Sequence, residues 1–211
     1  MTPQESSKAA YEVCALAPVI PVLVVDDVAH AAPLANALIA GGLRVLEVTL
    51  RTDAALDVIS EMAKIPNAVV GAGTLLNREQ VIAAKNAGAT FGVAPGSTDE
   101  VLDAALEVGL PMLPGAITPS EVMNLLGKGY DMLKFFPAEL AGGAKMLKAF
   151  SGVMMAARFC PTGGISLKNA NDYLSLPNIV CVGGSWVADS ALMKAGKWDE
   201  ITALASEASS L

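Results

Sequence analysis

Several residue types that carry common chemistries are scarce in this chain. It has one histidine and three cysteines, aromatic residues make up 5%, and 14 Lys and Arg stand against 21 Asp and Glu. The resulting net charge of −7 lacks the basic field that a phosphate backbone demands, which argues against a nucleic-acid partner. Cys14, Cys160 and Cys181 are an odd number without a CxxC pair, so neither a disulfide framework nor a zinc knuckle is indicated, and a reducing compartment fits. The lone His30 lies beside Asp26 and Asp27, a surface or capping position. Histidine-based proton transfer and metal-dependent chemistry therefore both lack residues. No apolar stretch reaches the roughly 18 residues a membrane helix needs. The run from Val13 to Val25 imitates a signal-peptide core, but no positive segment precedes it, and Pro18, Pro21 and Asp26-Asp27 interrupt it. The expectation is a cytoplasmic protein with no membrane segment.

What is abundant is apolar and small. With 53% hydrophobic residues, 17% charged and 19 Gly in 211 residues, the composition fits one domain, 1–211, of helices packed closely on buried parallel strands. Strand-length apolar runs recur at Val19 to Val25, Val45 to Leu50, Ala68 to Thr74, Thr90 to Ala94, Pro111 to Pro114, Met132 to Phe136, Arg158 to Thr162 and Ile179 to Val182. Helical patterns lie between them, such as His30 to Ala40, Val101 to Val108 and Glu121 to Leu126. Asn77, Thr98 and the Thr118-Pro119-Ser120-Glu121 box mark helix starts; Gly41-Gly42, Gly88, Gly109 and Gly127 mark helix ends. The repeat of about 23 residues makes about eight strand-helix units, the number at which such a sheet closes into an α/β (β/α)8 TIM barrel. An open doubly wound sheet would show the same alternation. The first dozen residues read as an extra N-terminal helix at the bottom of the barrel.

Two charges interrupt otherwise apolar strands: Glu47 in the second run and Lys134 in the sixth. By period two, Glu47 shares a face with Val45, Thr49 and Arg51, and Lys134 with Met132 and Phe136. Interior layers of such barrels draw on alternate strands, so these two even-numbered strands can place the carboxylate and the amine in one layer. Burial opposes the charged form of an amine and leaves it nucleophilic. A purely structural ion pair satisfies the same pattern. Arg51, at the end of the second run, is placed to grip a substrate carboxylate, or else is an ordinary surface arginine.

Two glycine turns form a second constellation, Thr162-Gly163-Gly164-Ile165-Ser166 after the seventh strand and Gly183-Gly184-Ser185 after the eighth. These are the loops in which such barrels bind phosphate, with backbone amides and the Ser185 hydroxyl as donors. Gly71-Ala72-Gly73-Thr74-Leu75-Leu76 is an incomplete dinucleotide fingerprint, since Leu76 occupies the third glycine position. Thr74 reads instead as a polar lining residue. Cys160 and Cys181 read as core hydrophobes.

Together Glu47-Val48-Thr49-Leu50-Arg51, Gly71-Ala72-Gly73-Thr74, Lys134-Phe135-Phe136-Pro137-Ala138-Glu139, Arg158-Phe159-Cys160-Pro161-Thr162-Gly163-Gly164 and Gly183-Gly184-Ser185-Trp186 closely resemble one family over almost the whole chain. It is the bacterial class I family of 2-keto-3-deoxy-6-phosphogluconate (KDPG) and 4-hydroxy-2-oxoglutarate (KHG) aldolases of the Entner-Doudoroff route. The resemblance implies a homotrimeric barrel that acts on small keto acids and needs no metal or organic cofactor. It implies a Schiff base on Lys134, with Glu47 as general acid and base. Arg51, Thr74 and Thr162 would hold the pyruvyl end, Pro95 and Phe136 would wall the pocket, and Gly163, Gly164 and Ser185 would bind phosphate. The sister phosphogalactonate aldolases share the lysine and glutamate but are not expected to carry the Thr-Leu-Arg and Arg-Phe-Cys-Pro-Thr features. A phosphosugar isomerase or synthase, which would keep the glycine turns without needing Lys134 in a strand, and a non-catalytic phosphometabolite-binding barrel are the remaining alternatives.

Overall fold

A computed structural model describes all 211 residues. Strands and helices alternate along the chain: α1 Pro3–Cys14, β1 Val19–Leu23, α2 Ala31–Ala40, β2 Val45–Thr49, α3 Ala55–Met62, β3 Val69–Gly73, α4 Arg78–Asn86, β4 Phe91–Val93 and α5 Asp99–Val108 come first. They are followed by β5 Met112–Leu113, β6 Gly115–Ala116, α6 Pro119–Lys128, β7 Met132–Phe135, α7 Gly143–Val153, β8 Arg158–Pro161, α8 Ala170–Leu174, β9 Val182–Gly184, α9 Ser190–Lys194 and α10 Trp198–Ser209.

Every strand pairing is parallel. The strands form a six-stranded sheet in the order β5-β4-β3-β2-β1-β9 and a three-stranded sheet in the order β6-β7-β8. The fifth apolar run, Pro111 to Pro114, forms only β5, and Gly115–Ala116 just beyond it forms β6 in the other sheet; Pro114 between them has no amide to continue a ladder. Isolated parallel bridges from Phe159 to Ile179 and from Thr162 to Gly183 join β8 to the chain leading into and through β9. A parallel α/β architecture with curled sheets follows directly. Parallel strands bring all their C-terminal ends to one side, and the site is built there.

Period two divides the core. A cluster of 51 buried residues, including Val19, Leu46, Val48, Leu133 and Phe135, lies where the outer faces of the strands meet the helices. A separate cluster of ten, including Val45, Phe91, Met132, Cys160 and Cys181, is made by the opposite strand faces, with Ala10 and Cys14 from α1. The N-terminal helix therefore packs against the inner faces, as expected of a cover. It is fastened by polar contacts to strand backbone: Met112 N donates to Ser6 Oγ at 2.9 Å, and Asp131 N and Met132 N both donate to Ser7 Oγ at 2.9 Å. Those amides have no neighbouring strand at that end, so the hydroxyls satisfy groups that would otherwise be buried unpaired.

Local signals succeed where chemistry is local. Thr2 and Glu5 close a capping box on α1, Thr118 and Glu121 close one on α6, and Asn77 and Thr98 cap α4 and α5. Of the Gly41-Gly42 pair, Gly41 caps α2 at φ −79° and Gly42 takes the left-handed turn at φ +95°. One glycine stop is displaced: α6 runs through Gly127 to Lys128, with Gly129 at φ +99° as the cap. Stopping at Gly129 lets Tyr130, fully buried, turn inward with its amide on Leu125 O. The last strand also starts later than its apolar run suggests. Ile179 makes only a bridge, and Gly183 and Gly184 are in β9 rather than after it, because the ladder with Val19, Ile20 and Pro21 of β1 is made there.

Candidate active site

Among the acidic and basic side chains only Glu47 and Lys134 are buried, at 3% and 5% exposure. Each sits in the middle of its strand, on the inner face. Lys134 Nζ lies 3.4 Å from Glu47 Oε1 and donates to it. The amine is therefore partnered rather than isolated. Burial pushes the Glu47 carboxyl above the usual glutamate range, with the Lys134 ammonium as the chief opposing influence. A carboxyl that binds a proton more readily than usual, in contact with an amine, can both take and return a proton.

The residues around this pair come from the C-terminal ends of successive strands. Arg51 follows β2; its amide donates to Thr49 O at 2.8 Å, and its exposed guanidinium has no ion-pair partner in the chain. Thr74 follows β3 with φ +62°. A β-branched residue in that region stores about 1–3 kcal/mol of strain, which native structures tolerate chiefly at binding sites. Pro95 follows β4 and is half-buried. Phe136 follows β7, 38% exposed, with its ring centroid 5.3 Å from Lys134 Nζ. Thr162 follows β8, is buried, and its hydroxyl has no hydrogen-bond partner. An unpaired buried hydroxyl costs about 1–3 kcal/mol, so this oxygen is a ready contact for an incoming polar group.

The bridge between Thr162 and Gly183 sets the two glycine turns side by side. Gly163 and Gly164 both have positive φ, +102° and +78°, which only glycine adopts freely. Ser185 is exposed at the start of the short turn Trp186–Ala188, and its hydroxyl caps nothing. Exposed amides and a free hydroxyl on adjoining turns suit an anion. His30 ends the turn Val28–His30 and meets Trp198 edge-on at 5.7 Å, apart from these groups. All three cysteines are free and buried.

One residue that matters carries no signal of its role along the chain. A Cβ at Gly73 would lie 2.3 Å from Glu47 Oε1, so Gly73 makes room for the carboxylate. Only the pairing of β2 with β3, Thr49 opposite Gly73, reveals this. Thr49 itself donates to Leu23 O at 2.8 Å, so its hydroxyl hydrogen is already committed to backbone.

Comparison with known proteins agrees over most of the chain. Residues 11–204 match the family model "KDPG and KHG aldolase". A 2-dehydro-3-deoxy-phosphogluconate aldolase of Pseudoalteromonas atlantica is 54% identical over 90% of this chain and 89% of its own. The KHG/KDPG aldolase of Escherichia coli is 51% identical over 90% of each. Among solved structures, the KDPG aldolase of Legionella pneumophila, with pyruvate captured at low pH as a covalent carbinolamine intermediate, superposes with a TM-score of 0.92 at 46% identity, covering 94% of this chain and 97% of that one.

Proposed function

The chain belongs to the KDPG and KHG aldolase family, and from that premise we propose that it is a class I lyase. It cleaves 2-dehydro-3-deoxy-6-phosphogluconate to pyruvate and glyceraldehyde 3-phosphate, and 4-hydroxy-2-oxoglutarate to pyruvate and glyoxylate. The observation that carries this reading is the buried contact of Lys134 Nζ with Glu47 Oε1.

Lys134, as the free amine, adds to the C2 ketone of the substrate. The carbinolamine loses water to become a protonated imine, an electron sink two bonds from C4. Glu47, directly or through a water, takes the C4 hydroxyl proton as the C3–C4 bond breaks, and the aldehyde departs. The same carboxyl returns a proton to C3 of the enamine. Hydrolysis of the resulting imine then frees pyruvate and restores the amine. Arg51 holds the substrate carboxylate, Thr74 and Thr162 bind the pyruvyl end, and Pro95 and Phe136 wall the pocket. Gly163, Gly164 and Ser185 bind the phosphate and so supply orientation from outside the reacting bond.

In this reading the two sheets are arcs of one closed (β/α)8 barrel, a single domain spanning 1–211, with Phe159–Ile179 and Thr162–Gly183 as its seam. The protein works in the cytoplasm as a homotrimer. No helix is long and apolar enough to cross a membrane. The exposed side chains of Met123, Val153 and Met155, 65–77% accessible and grouped with Pro119 and Leu126, suit the subunit contact.

Pyruvate with borohydride tests the central step. One reduced pyruvyl group per chain is expected, mapped to Lys134 and to none of the nine other lysines, and Lys134→Met is expected to fold normally while losing adduct and cleavage together. An adduct elsewhere overturns the site, and no adduct on active protein overturns the imine. Preference for the C4-epimeric phosphogalactonate would move the chain to the sister activity.

A further inference from the structure

Behind the phosphate turns lies a pair of side chains that the cleavage mechanism leaves unused. Glu139 is on the turn that follows Phe136-Pro137, immediately after the strand that carries Lys134. Tyr173 is on α8, 1% exposed, beyond the far end of the Gly163–Asn169 loop. The Tyr173 hydroxyl donates to Glu139 Oε1. Burial and the neighbouring Glu139 carboxylate push the phenol well above its ordinary range, so it stays a donor.

The contacts of Glu139 run along the loop as well as across it. Its amide donates to Gly163 O at 3.1 Å, next to Ala138 N on Thr162 O at 2.8 Å. Its side chain lies under Gly164, where a Cβ would come within 2.7 Å of Glu139 Cγ. Asn169 closes the same loop from inside: its Nδ2 donates to Gly164 O at 3.1 Å, and its Oδ1 accepts from Ser166 N at 2.8 Å. Glu139 thus touches the first two residues of the loop, Gly163 through backbone and Gly164 through packing, and the helix that follows the loop through Tyr173.

A carboxylate so near an anion site needs an offset. The N-terminal end of α7 provides one: a Cβ at Gly143, the first residue of that helix, would lie 3.3 Å from Glu139 Oε1 and 3.2 Å from the Tyr173 oxygen. The positive end of the helix dipole there favours a negative group. The carboxylate is thus set against the start of α7, and its hydrogen bond to Tyr173 ties the loop to that helix.

We propose that Glu139 and Tyr173 are positioning residues that brace the Gly163–Asn169 loop for the phosphate of the substrate, and so set the preference for phosphorylated over unphosphorylated keto acids. This rests on the reading of Gly163, Gly164 and Ser185 as the phosphate site. The brace acts on a part of the substrate remote from the scissile bond. Loosening it therefore costs binding of the phosphorylated substrate and spares imine formation on Lys134.

The test compares Tyr173→Phe, Glu139→Ala and Glu139→Gln with the wild type. Three readouts are used: kcat and KM on both keto acids, borohydride trapping of pyruvate, and inorganic phosphate titration followed by the amide resonances of Gly163, Gly164 and Ser185. Tyr173→Phe and Glu139→Ala are expected to raise KM for the phosphorylated substrate and Kd for phosphate by about ten-fold, the scale of one hydrogen bond to a charged group. KM for 4-hydroxy-2-oxoglutarate and the trapping yield are expected to stay within about two-fold. Glu139→Gln keeps an acceptor for the phenol and is expected to restore the phosphate affinity. Unchanged phosphate affinity in both Tyr173→Phe and Glu139→Ala overturns the brace, as does an equal loss on the two substrates. Phosphate shifting none of the three amides in the wild type overturns the phosphate site itself, a failure distinct from that of the brace.

Discussion

Gly73→Ala isolates the placement of the Glu47 carboxyl without replacing either reacting group. The new methyl would stand 2.3 Å from Glu47 Oε1 and 2.8 Å from Cγ, where ordinary contact begins near 3.4 Å. The carboxylate must retreat by about 1 Å, as large a step as separates hydrogen-bonding from idle neighbours. It starts only 3.4 Å from Lys134 Nζ, so the pair is lengthened or turned. Gly73 lacks the positive φ that would forbid alanine, and replacing glycine in a strand gains about 0.5–1 kcal/mol. Overpacking costs about 1–3 kcal/mol, so the variant is expected to fold with a stability loss of at most about 2.5 kcal/mol. A misplacement of about 1 Å at a reacting group is worth about 10²-fold in rate. Exchange of the pyruvate methyl protons in deuterium oxide, followed by NMR, and kcat for cleavage are both expected to fall by that factor, while circular dichroism remains native. A native exchange rate in a folded Gly73→Ala protein would refute the assignment of Glu47 as the group that moves the proton.

Four further outcomes are expected. Glu47→Gln keeps the fold and some imine formation, but methyl proton exchange falls by about 10²–10⁴-fold; native exchange removes Glu47 from the acid-base role. Because burial raises the Glu47 pKa above the ordinary 4.5 and the base must be ionised, the acid limb of kcat/KM lies above that value. The same sign governs stability: a raised native pKa favours the folded state below about pH 4.5, and this contribution is lost as pH rises through the native value. Urea unfolding across that interval should show wild type losing stability relative to Glu47→Gln, and a gain instead would contradict the burial argument. Ser185→Ala weakens the phosphorylated substrate by about 1.5–3 kcal/mol, one hydrogen bond to a charged group, and leaves cleavage of 4-hydroxy-2-oxoglutarate intact; equal losses on both place Ser185 elsewhere.

Much of this was legible along the chain because the physics is local. The Thr118-Pro119-Ser120-Glu121 box needs only three residues of separation to cap α6. Glu47 and Lys134 stand out because a charge in a strand with apolar neighbours on both faces is costly wherever that strand lies. The residues after each strand were also accessible, since parallel strands must end on one side. Gly127 misled because a glycine is a permissive stop, not a compulsory one. The helix continues to Gly129 because Tyr130 is the next side chain that the core can bury, and that preference is set by the packing of distant elements.

By itself, then, the order of residues determined the alternation of strands and helices, the inner and outer faces of each strand, and the two buried charges, all consequences of spacings shorter than a helix. Tertiary structure decided how those pieces meet. The 3.4 Å contact joins residues 87 positions apart. The vacancy at Gly73 exists only because β3 lies beside β2. The brace from Glu139 to Tyr173 depends on α8, which follows β8, packing back against the turn that follows β7, 34 residues on. Such contacts are chosen by packing complementarity among elements far apart in sequence, and no periodicity in the chain encodes the distance at which they come to rest.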